Sequence, residues 1–231
     1  MSRRKLIACL LGAIALWVSA LSAAQSSPDL ERVLDQMDKA AAGFRTTEAS
    51  FVWDQYQKVV DETDTQKGKV YYRRTSTEIQ MAADINEPDA KYVLYADGKI
   101  QLYQPRIDQV TVYDPGNRSD VESYLVLGFG GRGHDMLKSF DVKYLGAEKV
   151  GGQDTAKLDL VPKSQKVRNN FSHIVLWIDL ERGISVQQQL FEPSGNYRLA
   201  KYSDIRVNQK IPDNVFKLRT TGKTKVVSPQ S

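Results

Sequence analysis

The chain has 231 residues, of which 41% are hydrophobic and 9% aromatic, with 32 basic side chains against 28 acidic ones and a single cysteine. Such apolar content suits a folded domain with a sizeable core, and the length falls short of a comfortable two-domain protein. A lone cysteine excludes an internal disulfide and a multi-thiolate metal site. At the N-terminus Arg3, Arg4 and Lys5 precede an apolar run over 6–21, and the small residues Ser22, Ala23 and Ala24 follow. That is the layout of a secretory signal peptide, 1–24, cleaved after Ala24. No later stretch offers the roughly 20 apolar residues of a spanning helix, so a soluble mature domain is expected over 25–231. Cys9 lies near the start of the apolar run. A lipidation cysteine would end it, so acylation there is set aside. Ser2-Arg3-Arg4 leaves general secretion and twin-arginine export both open. Cleavage removes three basic residues and no acidic one, which leaves the charge nearly balanced and gives no ground for nucleic-acid binding.

Ser27-Pro28 reads as an N-cap and first helical position, with Leu30, Val33, Leu34, Met37 and Ala41 at helical spacing up to Gly43. From Glu48 the period changes to two. Phe51, Trp53 and Gln55 alternate with Val52, Asp54 and Tyr56 before a polar turn expected at 61–65. Further strands are expected at 69–74, 78–83, 92–95, 99–103 and 109–113, with Asp97-Gly98 as a two-residue hairpin turn. Short helices are expected at 121–127 and 134–140, on either side of the glycine-rich stretch 128–133. Strands then resume at 142–145, 156–160, 173–179, 184–191 and 197–205, with turns at 181–183 and 193–195. The tail after Thr220 is polar, either frayed or an extra edge segment.

These elements predict a mainly β, α+β fold of roughly ten antiparallel strands. So wide a sheet curls, and the few helices available must lid its inner face, which gives an open half-barrel. Large aromatic residues recur along the strands and serve a ligand cavity or a solid core equally well. Taking one alternation throughout, the expected cavity lining is Phe51, Trp53, Val70, Tyr72, Ile79, Met81, Val93, Tyr95, Ile100, Leu102, Val110 and Val112. Register between strands is not legible, and the opposite alternation is the alternative.

Motifs for chemistry are weak. Gly128-Phe129-Gly130-Gly131-Arg132-Gly133 satisfies the dinucleotide fingerprint with Glu148 downstream. Only about six residues separate its last glycine from the next strand, where a parallel crossover needs a dozen or more. A flexible hinge beside the lid helices is the expected role. His134 and His173, the only histidines, form no close pair of the metal-binding kind, and no serine stands in a nucleophile-elbow motif. No catalytic residue, metal or cofactor is therefore expected, and the default assembly is a monomer.

Three blocks carry a family resemblance: Gly68-Lys69-Val70-Tyr71-Tyr72-Arg73-Arg74, then Tyr95-Ala96-Asp97-Gly98-Lys99-Ile100-Gln101-Leu102-Tyr103-Gln104-Pro105, then Asp108-Gln109-Val110-Thr111-Val112. With Ala49-Ser50-Phe51 upstream and Leu158-Asp159-Leu160-Val161-Pro162-Lys163 downstream, the chain resembles the periplasmic outer-membrane lipoprotein carriers, the LolA family. The resemblance implies a periplasmic half-barrel that takes lipoprotein acyl chains from an inner-membrane transporter to an outer-membrane receptor. A carrier or sensor of another envelope lipid on the same fold is the alternative. It further implies a lid-latching arginine at the end of the second strand. Arg74 matches that position and shares the assignment with Arg73, because the proline and aromatic strand usual in the family are replaced here by Thr75-Ser76-Thr77-Glu78. The expected latch acceptors lie around 121–127 or at Ser139.

Overall fold

The computed structural model describes residues 27–114, 124 and 127–229. The leader expected at 1–24 and most of the helix expected at 121–127 lie outside these residues. Helix α1 (Pro28–Ala42) begins as the sequence predicts: the Ser27 hydroxyl accepts from the Leu30 N–H at 3.2 Å, and Leu30, Val33, Leu34, Met37 and Ala41 are buried along one stripe. Six strands follow, β1 (Thr46–Gln57), β2 (Glu62–Arg74), β3 (Ile79–Glu87), β4 (Lys91–Ala96), β5 (Lys99–Gln104) and β6 (Gln109–Tyr113). After α2 (Gly133–Ser139) come β7 (Phe140–Val150), β8 (Gln153–Pro162), the single turn α3 (Gln165–Arg168), β9 (His173–Asp179), β10 (Ile184–Phe191), β11 (Tyr197–Val207) and β12 (Lys225–Val227).

All these strands form one 12-stranded sheet in the order β12-β6-β5-β4-β3-β2-β1-β11-β10-β9-β8-β7. Pairing is antiparallel except for β12, which runs parallel to β6. Among the described residues the sheet stays open, with β12 and β7 at its two ends. Asp97 and Gly98 hold φ values of 53° and 71°, as a tight primed hairpin turn requires. The polar stretch 62–65 differs from expectation, and of the two readings of the tail the edge segment is the one found. Residues 62–65 belong to β2 rather than to a turn. They pair with β1 alone, since the β2–β3 ladder begins only at Lys67 and Glu87, so their polar side chains stay in water. In the polar tail, Lys225–Val227 is ordered as β12 because Asp108 anchors it. The Asp108 carboxylate accepts from Thr221 at 2.7 Å and Thr224 at 2.6 Å, and its carbonyl accepts from the Lys225 N–H at 3.0 Å.

The register makes one face continuous from end to end: Leu176 opposes Gln188, Gln188 opposes Ala200, Ala200 opposes Trp53, and Tyr202 opposes Phe51. On the β7–β10 half this inner face is covered by α1 and α2. There Leu30, Val33, Leu34, Met37, Met136 and Phe140 pack on Leu158, Leu160, Ile174, Leu176 and Ile178. The outer face of the β2–β4 region is covered by the C-terminal segment, where Ile211 and Phe216 pack on Ala82, Leu94 and Ala96. Leu34 is fully buried at the helix–sheet contact. Leu34→Ala is expected to lower unfolding stability by about 2–5 kcal/mol, read as a reduced urea midpoint at unchanged slope.

Candidate functional site

The inner face of the β1–β6 half carries apolar side chains with no helix of the α1–α2 pair packed over them. Cross-strand pairing places Phe51, Trp53, Val70, Tyr72, Ile79, Met81, Val93, Tyr95, Ile100 and Leu102 on this face. Val110 and Val112 are on the other. Leu102 opposes Thr111 and Ile100 opposes Tyr113, so the valines stand outside, opposite Tyr103 and Gln101. The cause is the connection between β5 and β6, a 3-10 turn at Pro105–Ile107 followed by Asp108 in the left-handed region at φ 44°. It sets Gln104 against Gln109 and gives the inner positions of β6 to Thr111 and Tyr113. Ile79, Met81, Val93, Ile100 and Leu102 are only half-buried, and so is Trp53.

The segment 127–133 crosses this face and closes its centre. Its Phe129 is 0% exposed, stacked on Tyr72 at 4.8 Å and edge-on to Tyr202 at 4.8 Å, in a cluster with Phe44, Phe51 and Val70. Two strands, β10 and β2, hold its backbone. The Gln188 Nε2 amide donates to the Leu127 carbonyl at 2.6 Å, the Ser185 N–H to Gly128 at 2.9 Å and the Arg74 guanidinium to Gly130 at 2.6 Å. The glycines are required by contact rather than by looseness. A Cβ on Gly128 would lie 2.2 Å from the Ser185 Cβ, one on Gly130 2.4 Å from the Phe44 ring, and one on Gly133 2.5 Å from the Leu34 carbonyl oxygen. Gly128 and Gly130 also hold φ of 76° and 82°. In this arrangement the stretch expected to be a flexible hinge is seated as a wedge between β2, β10 and α1. Nor does it open a dinucleotide crossover, since α2 leads into β7, which pairs antiparallel with β8.

The two candidate arginines separate by face. Arg74 points inward to Gly130, with its guanidinium 5.7 Å from the Phe44 ring centre. Its acceptor is the glycine wedge and not Ser139, whose carbonyl takes the Lys163 N–H. Arg73 points outward and does not touch the wedge. It bonds Asp213 at 2.5 Å, contacts Gln80 and lies over the Phe216 ring at 4.2 Å, which fastens the C-terminal segment to the outer face.

His134, at the start of α2, is bound to α1 by contacts that sequence spacing gave no means to find. One ring nitrogen lies 2.9 Å from Asp38 and the other 3.1 Å from Glu31, while the His134 N–H donates to Asp38 at 3.2 Å. Arg132 adds a longer ion pair to Asp38 at 3.5 Å. Hydrogen bonds to Glu31 and then Asp38 raise the His134 pKa above its ordinary value. Burial pushes Asp38 upward, but the bonds from the His134 ring and backbone outweigh it and leave the carboxyl below its usual range. Asp135, the sequence neighbour, pairs instead with Lys138 at 2.7 Å. His173 stacks on Phe191 at 4.2 Å and contacts the Ser172 hydroxyl.

Comparison with known proteins places this geometry. Residues 42–219 match the family described as outer membrane lipoprotein carrier protein LolA. The chain belongs to the LolA family. No curated protein matches it. Among solved structures, an uncharacterized conserved protein from Thermus thermophilus is similar at 10% identity and a TM-score of 0.56, over 87% of this chain and 99% of that one. The lipoprotein LppX of Mycobacterium tuberculosis is similar at 14% identity and a TM-score of 0.50, over 81% and 99%. MucB of Pseudomonas aeruginosa, in its complex with MucA, is similar at 13% identity and a TM-score of 0.50 over 82% of this LolA-family chain, which spans 61% of the MucB chain. At such identities the likeness is one of fold.

The α1–α2 clasp has a defined pH dependence. A raised His134 pKa means its contribution is complete below the unfolded value of 6.5 and is lost as pH rises through the folded value. The lowered Asp38 pKa adds a contribution present above 3.8 and lost as pH falls through the folded value. The melting temperature is therefore expected to decline more steeply between about pH 6 and pH 9 in the wild type than in His134→Gln. Parallel melting curves would show that the clasp does not titrate in this window.

Proposed function

We propose that this protein is a periplasmic carrier that binds acyl chains of lipoproteins on the inner face of the β1–β6 half and passes them between the two membranes, with no catalytic step. The observation that supports this most directly is a set of apolar side chains on one face, Ile79, Met81, Val93, Ile100 and Leu102 around the buried Tyr95, with Trp53 farther along the same face, all six left only half-buried. Each methylene removed from water contributes roughly 0.8 kcal/mol, so such a strip binds a chain without any reacting group. Membership of the LolA family supports the cargo class. The basic leader over 1–24 supports export, and cleavage there leaves a domain with no thiol.

A sensor of an envelope lipid or lipopeptide is the second reading, supported by the likeness to MucB, whose structure was solved in complex with MucA. Two measurements separate them. Mass spectrometry of the protein purified from the periplasm is expected to find lipoprotein or its acyl chains. Depletion in cells is expected to misplace lipoproteins; a bound lipid without misplacement favours the sensor, and the absence of both bound lipid and misplacement overturns the carrier reading. In vitro, Leu102→Glu is expected to weaken binding of a fluorescent long-chain fatty acid by about tenfold or more, because a carboxylate is then set against the chain. Gln101→Glu, on the opposite face of the same strand, is expected to leave binding unchanged.

Arg74 tests the hand-over step. Its bond to the Gly130 carbonyl exists in the closed arrangement, and because Arg74 is exposed, solvent screening holds its contribution to about 0.5–1.5 kcal/mol. Losing it removes a force that drives the wedge back after cargo leaves. Arg74→Leu is expected to slow transfer of bound lipoprotein to acceptor membranes by several-fold while uptake is kept. Arg73→Leu should leave transfer at the wild-type rate and instead loosen the C-terminal segment.

A further inference from the structure

We infer that the slot filled by Phe129 is the deep end of the ligand site, and that Phe129 is a resident plug which the apolar end of an acyl chain displaces. The inference rests on the lipid-carrier reading and extends it to a particular subsite. Its basis is the way the ring is held. Phe129 is entirely buried between Tyr72 and Tyr202, yet the chain that carries it has no helix or strand pairing of its own. What ties that chain to the sheet is the trio of backbone carbonyl bonds to Gln188, Ser185 and Arg74.

Each of those bonds can be exchanged for one to water when the segment lifts, at a small net cost. The apolar ring cannot be exchanged in that way. Lifting it bares an aromatic slot that only another apolar group fills without penalty. The slot adjoins the half-buried strip, since Met81 opposes Tyr72 and Val93 opposes Ala83 in the same cluster. A chain lying along the strip would therefore reach the slot without crossing a polar barrier. Gln188, on β10, lies on the side of the slot away from the strip. Its amide nitrogen bonds the Leu127 carbonyl, and its oxygen accepts from the Tyr202 hydroxyl at 3.3 Å. The Tyr202 hydroxyl thus keeps its bond to Gln188 when the segment lifts, while the apolar walls of the slot receive a ligand. By this arrangement the empty protein is a closed one, in which an intramolecular aromatic ring stands where the end of the cargo would stand.

The test is binding of a fluorescent long-chain fatty acid to the full-length mature protein and its variants, each first shown to be folded by circular dichroism. If the plug competes with the chain, Phe129→Ala removes the cost of displacement. Affinity is then expected to rise by about tenfold, equivalent to ~1.4 kcal/mol. Phe129→Leu, which keeps most of the bulk and the fold, is expected to fall between wild type and alanine. In the wild type, saturating fatty acid should raise hydrogen exchange at the Ser185 amide, whose bond to Gly128 opens when the segment lifts. Wild-type binding with no gain in either variant, and an unchanged Ser185 amide, would overturn the plug and leave the carrier reading intact. Absence of fatty-acid binding by wild type and variants alike would overturn the carrier reading, and the plug with it.

Discussion

The antiparallel pairing of β1 with β11 is the interaction on which the rest of the molecule depends. It joins strands from opposite ends of the domain, from Thr47 against Val207 to Tyr56 against Tyr197. Without it β1–β6 and β7–β11 would be separate sheets, each with an edge to hide. With it, buried backbone groups are paired and one face runs unbroken across both halves. Everything placed on that face, the helices on one side and the glycine wedge at the centre, is positioned relative to this seam. Such a long-range pairing carries a loop-closure cost that short hairpins avoid, and the nine pairs aligned along it offset that cost cooperatively.

The seam also divides the labour between the halves. On β7–β10 the helices bury leucines and isoleucines to near zero exposure. Among the described residues, the inner face of β1–β6 is crossed by the wedge and keeps half-buried apolar side chains, while the outer face of the β2–β4 region is packed by Ile211, Phe216 and the Arg73–Asp213 pair. Covering the outer side allows the inner side to remain partly bare, because the strands no longer rely on their inner packing alone. Neighbouring arginines serve the two sides. Since successive side chains alternate across a strand, Arg73 and Arg74 reach opposite faces from adjacent positions.

Much of this was legible in the sequence. The N-cap at Ser27, the apolar stripe of α1, the Asp97-Gly98 turn and the alternation along β1 to β5 read directly, because each is a local pattern with a fixed period. The inner side failed at β6, where Val110 and Val112 keep the period but the 3-10 turn before them shifts the register. Alternation also loses meaning there, since both faces are buried: Val110 is 3% exposed and Thr111 8%. What seats segment 128–133 was not legible for a related reason. Glycines are chosen equally by loose chains and by very close contacts, and only the positions of Ser185, Phe44 and Leu34 decide between them. A single aromatic among glycines, Phe129, was the available hint. The Glu31–His134–Asp38 clasp had none, because its members come together only when α2 is laid on α1.

An unclosed sheet presents two rows of free backbone donors and acceptors, and these are templates on which foreign strands add. Here the two borders are blunted by different means. At one, the three residues of β12 cap β6, clipped down by Asp108 and followed within the described chain by only two more residues. At the other, β7 is bent at Gly146, where the ladder with β8 shifts register at φ 116°, and Lys143 and Lys149 flank the bend. A flat, regular border long enough to recruit a neighbouring copy is absent from both sides of the described sheet. The molecule can thus leave apolar side chains of its inner face half-buried without inviting fibril-like growth along its rims.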